Sequence, residues 1–134
     1  MYRLFTKILF LSFLCTATFT ACKKDKDESV ALTKENLVGT YKLTASTVNG
    51  ADVMAQMNAC EKDDLFKFNT DGTYENVDAG AQCSTADSGT WTLPGNNTIS
   101  LDGEAMTVEK FDGKTLTYYY TVQNITYKET YTKQ

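Results

Sequence analysis

Histidine is missing from all 134 residues of the chain. Without an imidazole to take a nucleophile's proton, neither a Ser-His-Asp nor a Cys-His arrangement can be built. The mixed Cys/His zinc sites go with it. No C-x-x-C pair occurs, which removes the usual dithiol redox motif. No glycine-rich phosphate loop and no EF-hand spacing are present either. The nearest paired carboxylates, Asp63 and Asp64, are adjacent, and neighbours on a strand point to opposite faces. The chain therefore reads as a non-enzyme with no metal site and no dissociable cofactor. Basic residues are outnumbered, 13 against 17 acidic, and none are clustered. Nucleic acid is thereby disfavoured as a partner, since phosphate binding needs a concentrated positive face. Proline occurs once, and long apolar helical stretches are lacking. Eight Tyr, seven Phe and abundant Thr fit β structure better than helix.

The one sustained apolar run is near the start. Arg3 and Lys7 precede a hydrophobic stretch over 8–17, and small residues then lead to Cys22. Residues 8–21 number only 14, short of the roughly 20 needed to span a bilayer. A cleaved secretion signal over 1–21 is the expectation. Phe19-Thr20-Ala21-Cys22 resembles the lipobox of bacterial lipoproteins, with Phe19 in place of the commoner Leu. The resemblance implies a diacylglycerol on the Cys22 sulfur and an N-acyl chain, a fatty acid such as palmitate, on the new amino terminus. It thus implies a membrane as partner, held through the lipid. The charged stretch 23–29 also resembles the signal that sends some Gram-negative lipoproteins to the outer membrane, a lipid-anchored location facing the periplasm or the cell surface, with a plain hydrophilic spacer as the other reading. Arg3 and Lys7 leave with the signal, so the remainder carries 11 basic and 17 acidic residues. Residues 22–36 then read as the lipidated N-terminus and a charged tether. Lys23-Lys24-Asp25-Lys26-Asp27-Glu28-Ser29 has nothing apolar to bury.

Of four cysteines, Cys15 lies in the signal and Cys22 at the lipid site. That leaves Cys60 and Cys83, an even pair in a domain read as exported, where disulfides are permitted. A bridge would close a loop of 22 intervening residues and stabilise the fold by about 3 kcal/mol. Two free thiols are the other reading.

From residue 37 onward the apolar pattern has period two, interrupted by turn residues. Strands are expected over 37–48, 65–68, 73–77, 89–93, 98–101, 105–109, 115–122 and 125–131. In the first, Leu37, Tyr41, Leu43 and Ala45 would face inward, with Thr40, Lys42, Thr44 and Ser46 facing water. Residues 52–59 form the one expected helical segment, a short plug or lid. Asn69-Thr70-Asp71-Gly72 is a strong hairpin signal. Short links favour antiparallel neighbours in a meander. Eight strands with one apolar face can remove both sheet edges by closing into an up-and-down barrel, over 37–134. A two-sheet sandwich is the competing architecture.

The residues also carry a family resemblance. Leu37-Val38-Gly39-Thr40-Tyr41-Lys42-Leu43 opens like the Gly-x-Trp strand of lipocalins, with Tyr41 where Trp is usual. Together with Cys60-Glu61-Lys62-Asp63-Asp64, the 66–74 stretch, Cys83 and Gly89-Thr90-Trp91-Thr92-Leu93, it resembles the lipocalin-like domain of many small Gram-negative lipoproteins. That resemblance implies a barrel, pairing of Cys60 with Cys83, and a ligand-binding role without catalytic residues.

The inward set is rich in aromatics: Tyr41, Phe66, Phe68, Tyr74, Trp91, Tyr118, Tyr120, Tyr127 and Tyr131. Eight strands enclose a space just wide enough for side chains or one small ligand. So many rings should fill the deep part of the barrel and leave at most a shallow pocket at one mouth, near 52–59. A small hydrophobic or aromatic ligand would meet some of Tyr41, Phe66, Phe68, Trp91, Tyr118 and Tyr120. The alternative is a filled barrel that acts through its exterior, as a structural or accessory surface protein.

Overall fold

The computed structural model describes residues 30–80 and 87–134. The signal segment, Cys22, the charged stretch after it and Cys83 lie outside the described residues. The elements in chain order are α1 (Lys34–Leu37), β1 (Gly39–Val48), β2 (Ala51–Asp52), α2 (Ala59–Asp63), β3 (Leu65–Phe68) and β4 (Thr73–Val77). Then follow β5 (Asp87–Gly95), β6 (Thr98–Leu101), β7 (Glu104–Phe111), β8 (Thr115–Val122) and β9 (Ile125–Lys133). Every pairing is antiparallel, and β1 hydrogen-bonds both β3 and β9. That double pairing closes eight strands into a barrel and excludes the sandwich. Strand β2 is an extra two-residue strand on the flank of β1.

Tight turns make the meander possible. Asp102-Gly103 and Gln123-Asn124 have both central residues at positive φ, the geometry whose twist matches that of antiparallel strands. At the first of these, Asp102 reaches back to β5. It accepts hydrogen bonds from the Thr90 backbone N–H (2.7 Å), the Thr90 hydroxyl (3.2 Å) and the Tyr74 hydroxyl (2.7 Å). These contacts, the Thr90 N–H first, hold its carboxyl below the usual carboxylate range. The tyrosine is pushed up to about 12, chiefly by donating to Asp102. Gly89 makes this approach possible, because a Cβ there would collide with the Asp102 carboxylate. Gly89→Ala should therefore lower the melting temperature. Its effect and that of Asp102→Ala should be strongly non-additive in a double-mutant cycle by thermal denaturation; full additivity would reject the coupling.

The two ends of the barrel differ. At one, α1 folds across the opening. Thr33 caps it by accepting from the Asn36 N–H, and fully buried Leu37 drops into the barrel. The Tyr41 hydroxyl donates to the Leu37 carbonyl at 2.8 Å, and Lys133 Nζ donates to the Asn36 carbonyl at 3.0 Å. Leu32 also packs on the core, so residues 30–36, expected as the end of the tether, belong in their described part to the folded unit. Tyr41, Phe68 and Trp91 pack edge-to-face behind Leu37, with ring centroids 5.7 and 5.3 Å apart. Ile99, Val108 and Leu116 complete this closed end.

Two expectations need correcting. In β1, Ala45 is exposed and Ser46 is buried, the reverse of the alternation read from the sequence. The pairing of β1 with β9 shifts between Leu43 and Ala45. This bulge spends one extra residue on β1 and inverts the faces beyond it. The helical segment also falls later than 52–59. Asp52 pairs with Thr47, and its carboxylate accepts the Met54 N–H at 2.8 Å, which makes a turn there. The helix starts only after Asn58, whose backbone N–H donates to Glu61 at 2.9 Å in a capping box.

Candidate functional site

At the other end, near α2, the barrel interior is not filled. A cavity of about 280 Å³ opens there, lined by Leu43 of β1, Met57, Glu61 of α2, Asp64, Phe66 of β3, Asn76 of β4, and Glu129 and Tyr131 of β9. A second hollow of about 360 Å³ lies at the same end of β7 and β8, against Met106, Tyr120 and Val122. Val122 and Ile125, directly paired at the tip of the β8–β9 hairpin, are 52% and 37% exposed, so this mouth has an apolar rim.

The six aromatic residues expected to meet a ligand divide between the two ends. Tyr41, Phe68 and Trp91 are 0%, 2% and 3% exposed and belong to the closed end. Burial pushes the Tyr41 hydroxyl up to about 12, and Lys133 Nζ sits 5.6 Å from its ring centroid. The Trp91 indole N–H donates to the Asn69 carbonyl at 3.1 Å. Phe66 and Tyr120 line the hollows of the mouth. Tyr118 lies between, buried at 4% exposure, and forms part of the support beneath the cavity.

That support is polar. Tyr118 and Tyr131 stack with centroids 5.7 Å apart, and both hydroxyls donate to the same oxygen, Glu129 Oε2, at 2.8 and 2.9 Å. Burial raises the pKa of both tyrosines, and the neighbouring Glu129 adds to it. Both hydroxyls therefore keep their protons and remain donors. Tyr120 is raised for the same first reason, burial, and stacks on Tyr127 at 5.2 Å. Phe66 leans on Tyr131 at 6.0 Å and stacks on Tyr74 at 5.0 Å.

Sequence reading missed the acidic component. Glu129 sits in the run Ile125, Tyr127, Glu129, Tyr131, whose alternation alone puts a carboxylate on the inward face. Asp64 and Glu61 reach the cavity because α2 begins at Ala59 and carries the chain across the mouth. Cys60 is the second residue of that helix. No group of His, Cys, Asp and Glu among the described residues could hold a metal ion.

Outside the barrel the pattern is polar. Lys67 lies opposite Glu75, Lys128 meets Glu109 at 2.9 Å, and threonine hydroxyls pair across strands at Thr121/Thr126. No helix of the described residues is long and apolar enough to cross a membrane.

Compared with known proteins, the chain has no match among curated ones. The sequence profile of the lipocalin-like domain does match it, over residues 37–133, from the strand that opens the barrel to the strand that closes it. With that match covering most of its length, the chain belongs to the lipocalin-like domain family.

Proposed function

We propose that this chain is a non-enzymatic, lipid-anchored lipoprotein of the outer membrane whose barrel holds a small molecule at the mouth beside α2. One observation carries the binding reading. At the α1 end fully buried Leu37, Tyr41 and Phe68 occupy the interior, and the hollows of about 560 and 400 Å³ there border residues 30–34 at the rim, whereas at the α2 end inward-facing Leu43, Phe66 and Tyr131 border empty space. Ligand sites are concave, partly apolar and furnished with a few fixed polar groups. This cavity has that make-up, at about 280 Å³, near the lower limit of the usual range. The ligand is accordingly small, an aromatic or apolar body of a few rings at most.

Supporting the anchor are the apolar run before Phe19-Thr20-Ala21-Cys22 and the charged stretch after it. A bridge from Cys60 to Cys83 is part of the same proposal, since α2 supplies Glu61 to the cavity and a cross-link would hold that helix at the mouth.

The cup is tested with the chain from residue 22 onward carrying Cys22→Ala, which contains every described element and brings no acyl chain to compete. Three compounds sharing one bicyclic body, tryptamine, indole-3-propionamide and indole-3-propionate, are titrated by calorimetry. At least one should bind saturably at one site, and Leu43→Trp, which fills the cavity, should abolish that binding. If none of the three binds, or if Leu43→Trp binds as well as the parent, the cup is wrong. A filled barrel acting through its exterior is then the surviving alternative.

A further inference from the structure

We infer that the cup selects a positively charged ligand, an organic ammonium joined to a flat or apolar body. The inference rests on the binding reading above and adds the ligand's charge to it.

Glu129 lines the cup. Its side chain projects into the barrel, yet it has no cationic partner among the described residues, whose ion pairs all lie on the outer surface. An ionised carboxylate withdrawn from bulk water is costly unless it is paired or hydrogen-bonded. The Tyr118 and Tyr131 hydroxyls supply two charge-assisted bonds, both to Oε2. The other oxygen, Oε1, accepts no hydrogen bond among the described residues. The cavity is also lined by Glu61, whose Oε2 accepts the Asn58 N–H, and by Asp64, whose Oδ1 accepts the Ala79 N–H at 3.4 Å, and by no lysine or arginine.

Three carboxylates and no cation around one hollow decide the sign of what enters. A carboxylate ligand would meet repulsion and leave its own charge unpaired, the arrangement that rejects partners most strongly. An ammonium would complete the set that the tyrosines leave half-satisfied. The Phe66 and Tyr131 rings line the same hollow and give a cation aromatic neighbours. A bare divalent ion is the less suitable cation, because no three acidic or sulfur-bearing residues among those described converge to hold one. The aromatic walls fit an organic cation better.

The same three indole compounds separate charge from shape. Tryptamine should bind about tenfold or more tightly than the neutral amide, and the acid should bind weakest. Glu129→Gln keeps the size of the side chain and still accepts from both tyrosines. It should erase most of the amine's advantage over the amide. Should that variant fold poorly, Glu61→Gln on α2 should cut the advantage by a smaller factor, about threefold, and added salt should weaken the amine selectively. Equal or tighter binding of the amide or acid overturns the inference while leaving the cup intact, as does an amine preference that survives both substitutions. Failure of all three compounds to bind removes the cup itself.

Discussion

Trp91→Ala should destabilise the domain by about 3–5 kcal/mol, the range for removing a buried aromatic side chain from a core. The indole is 3% exposed, meets Phe68 edge-to-face at 5.3 Å and carries Lys34 Nζ 5.7 Å from its ring centroid. Its N–H donates to the Asn69 carbonyl in the β3–β4 turn, which also accepts the Gly72 N–H, so truncation leaves an empty space and removes one of that carbonyl's two hydrogen bonds. Domains of this size hold about 5–15 kcal/mol in total. The loss should lower the melting temperature by about 15 °C or more in a far-UV circular dichroism melt. Trp91→Phe, which keeps much of the ring but not the N–H, should cost far less. A shift of only a few degrees for Trp91→Ala would show that stability does not reside in the closed end. By contrast Tyr120→Ala, at the open mouth, should cost less than Trp91→Ala because one of its sides already faces space.

This asymmetry explains which parts of the molecule were legible in the sequence. The hairpin of β3 and β4 was plain, because 65–68 and 73–77 alternate cleanly around a turn whose Gly72 has φ of 90°. Strand β8 was equally plain, and so was the need for the barrel to be filled by its rings. What escaped were features set by geometry between strands. The bulge beyond Leu43 leaves no mark in composition, yet it reverses Ala45 and Ser46. The start of α2 depended on two competing side chains, Asp52 making a turn and Asn58 making a cap, within one stretch of helix-compatible residues. Helix α1 was hidden because four residues are too few to show a period. Aromatic residues could be assigned to the interior but not to an end of it. Only α1, closing over Leu37, makes Tyr41, Phe68 and Trp91 a floor and leaves Phe66 and Tyr120 at an opening. Glu129 was legible in principle. The alternation that turns Tyr127 and Tyr131 inward turns Glu129 inward between them.

The second large effect concerns location. Cys22→Ala in the full-length chain should move the protein from the membrane fraction to the soluble fraction almost completely, as read by sedimentation and carbonate washing of cells that process lipoproteins. Each buried CH₂ contributes about 0.8 kcal/mol, and one acyl chain holds only marginally, so the several chains implied at Cys22 make nearly the whole difference. The barrel offers no substitute. A membrane-spanning barrel turns an apolar band outward, about 25 Å tall, and keeps its polar residues inside. Here the core is inside, and the outward faces of β8 and β9 present Thr121, Thr126, Lys128 and Thr130. The apolar rim at Val122 and Ile125 is two residues on one hairpin, too little surface to hold a protein at a bilayer alone. A Cys22→Ala protein that still sediments with membranes after the wash would reject lipidation at that sulfur as the anchor and would place the attachment elsewhere on the chain.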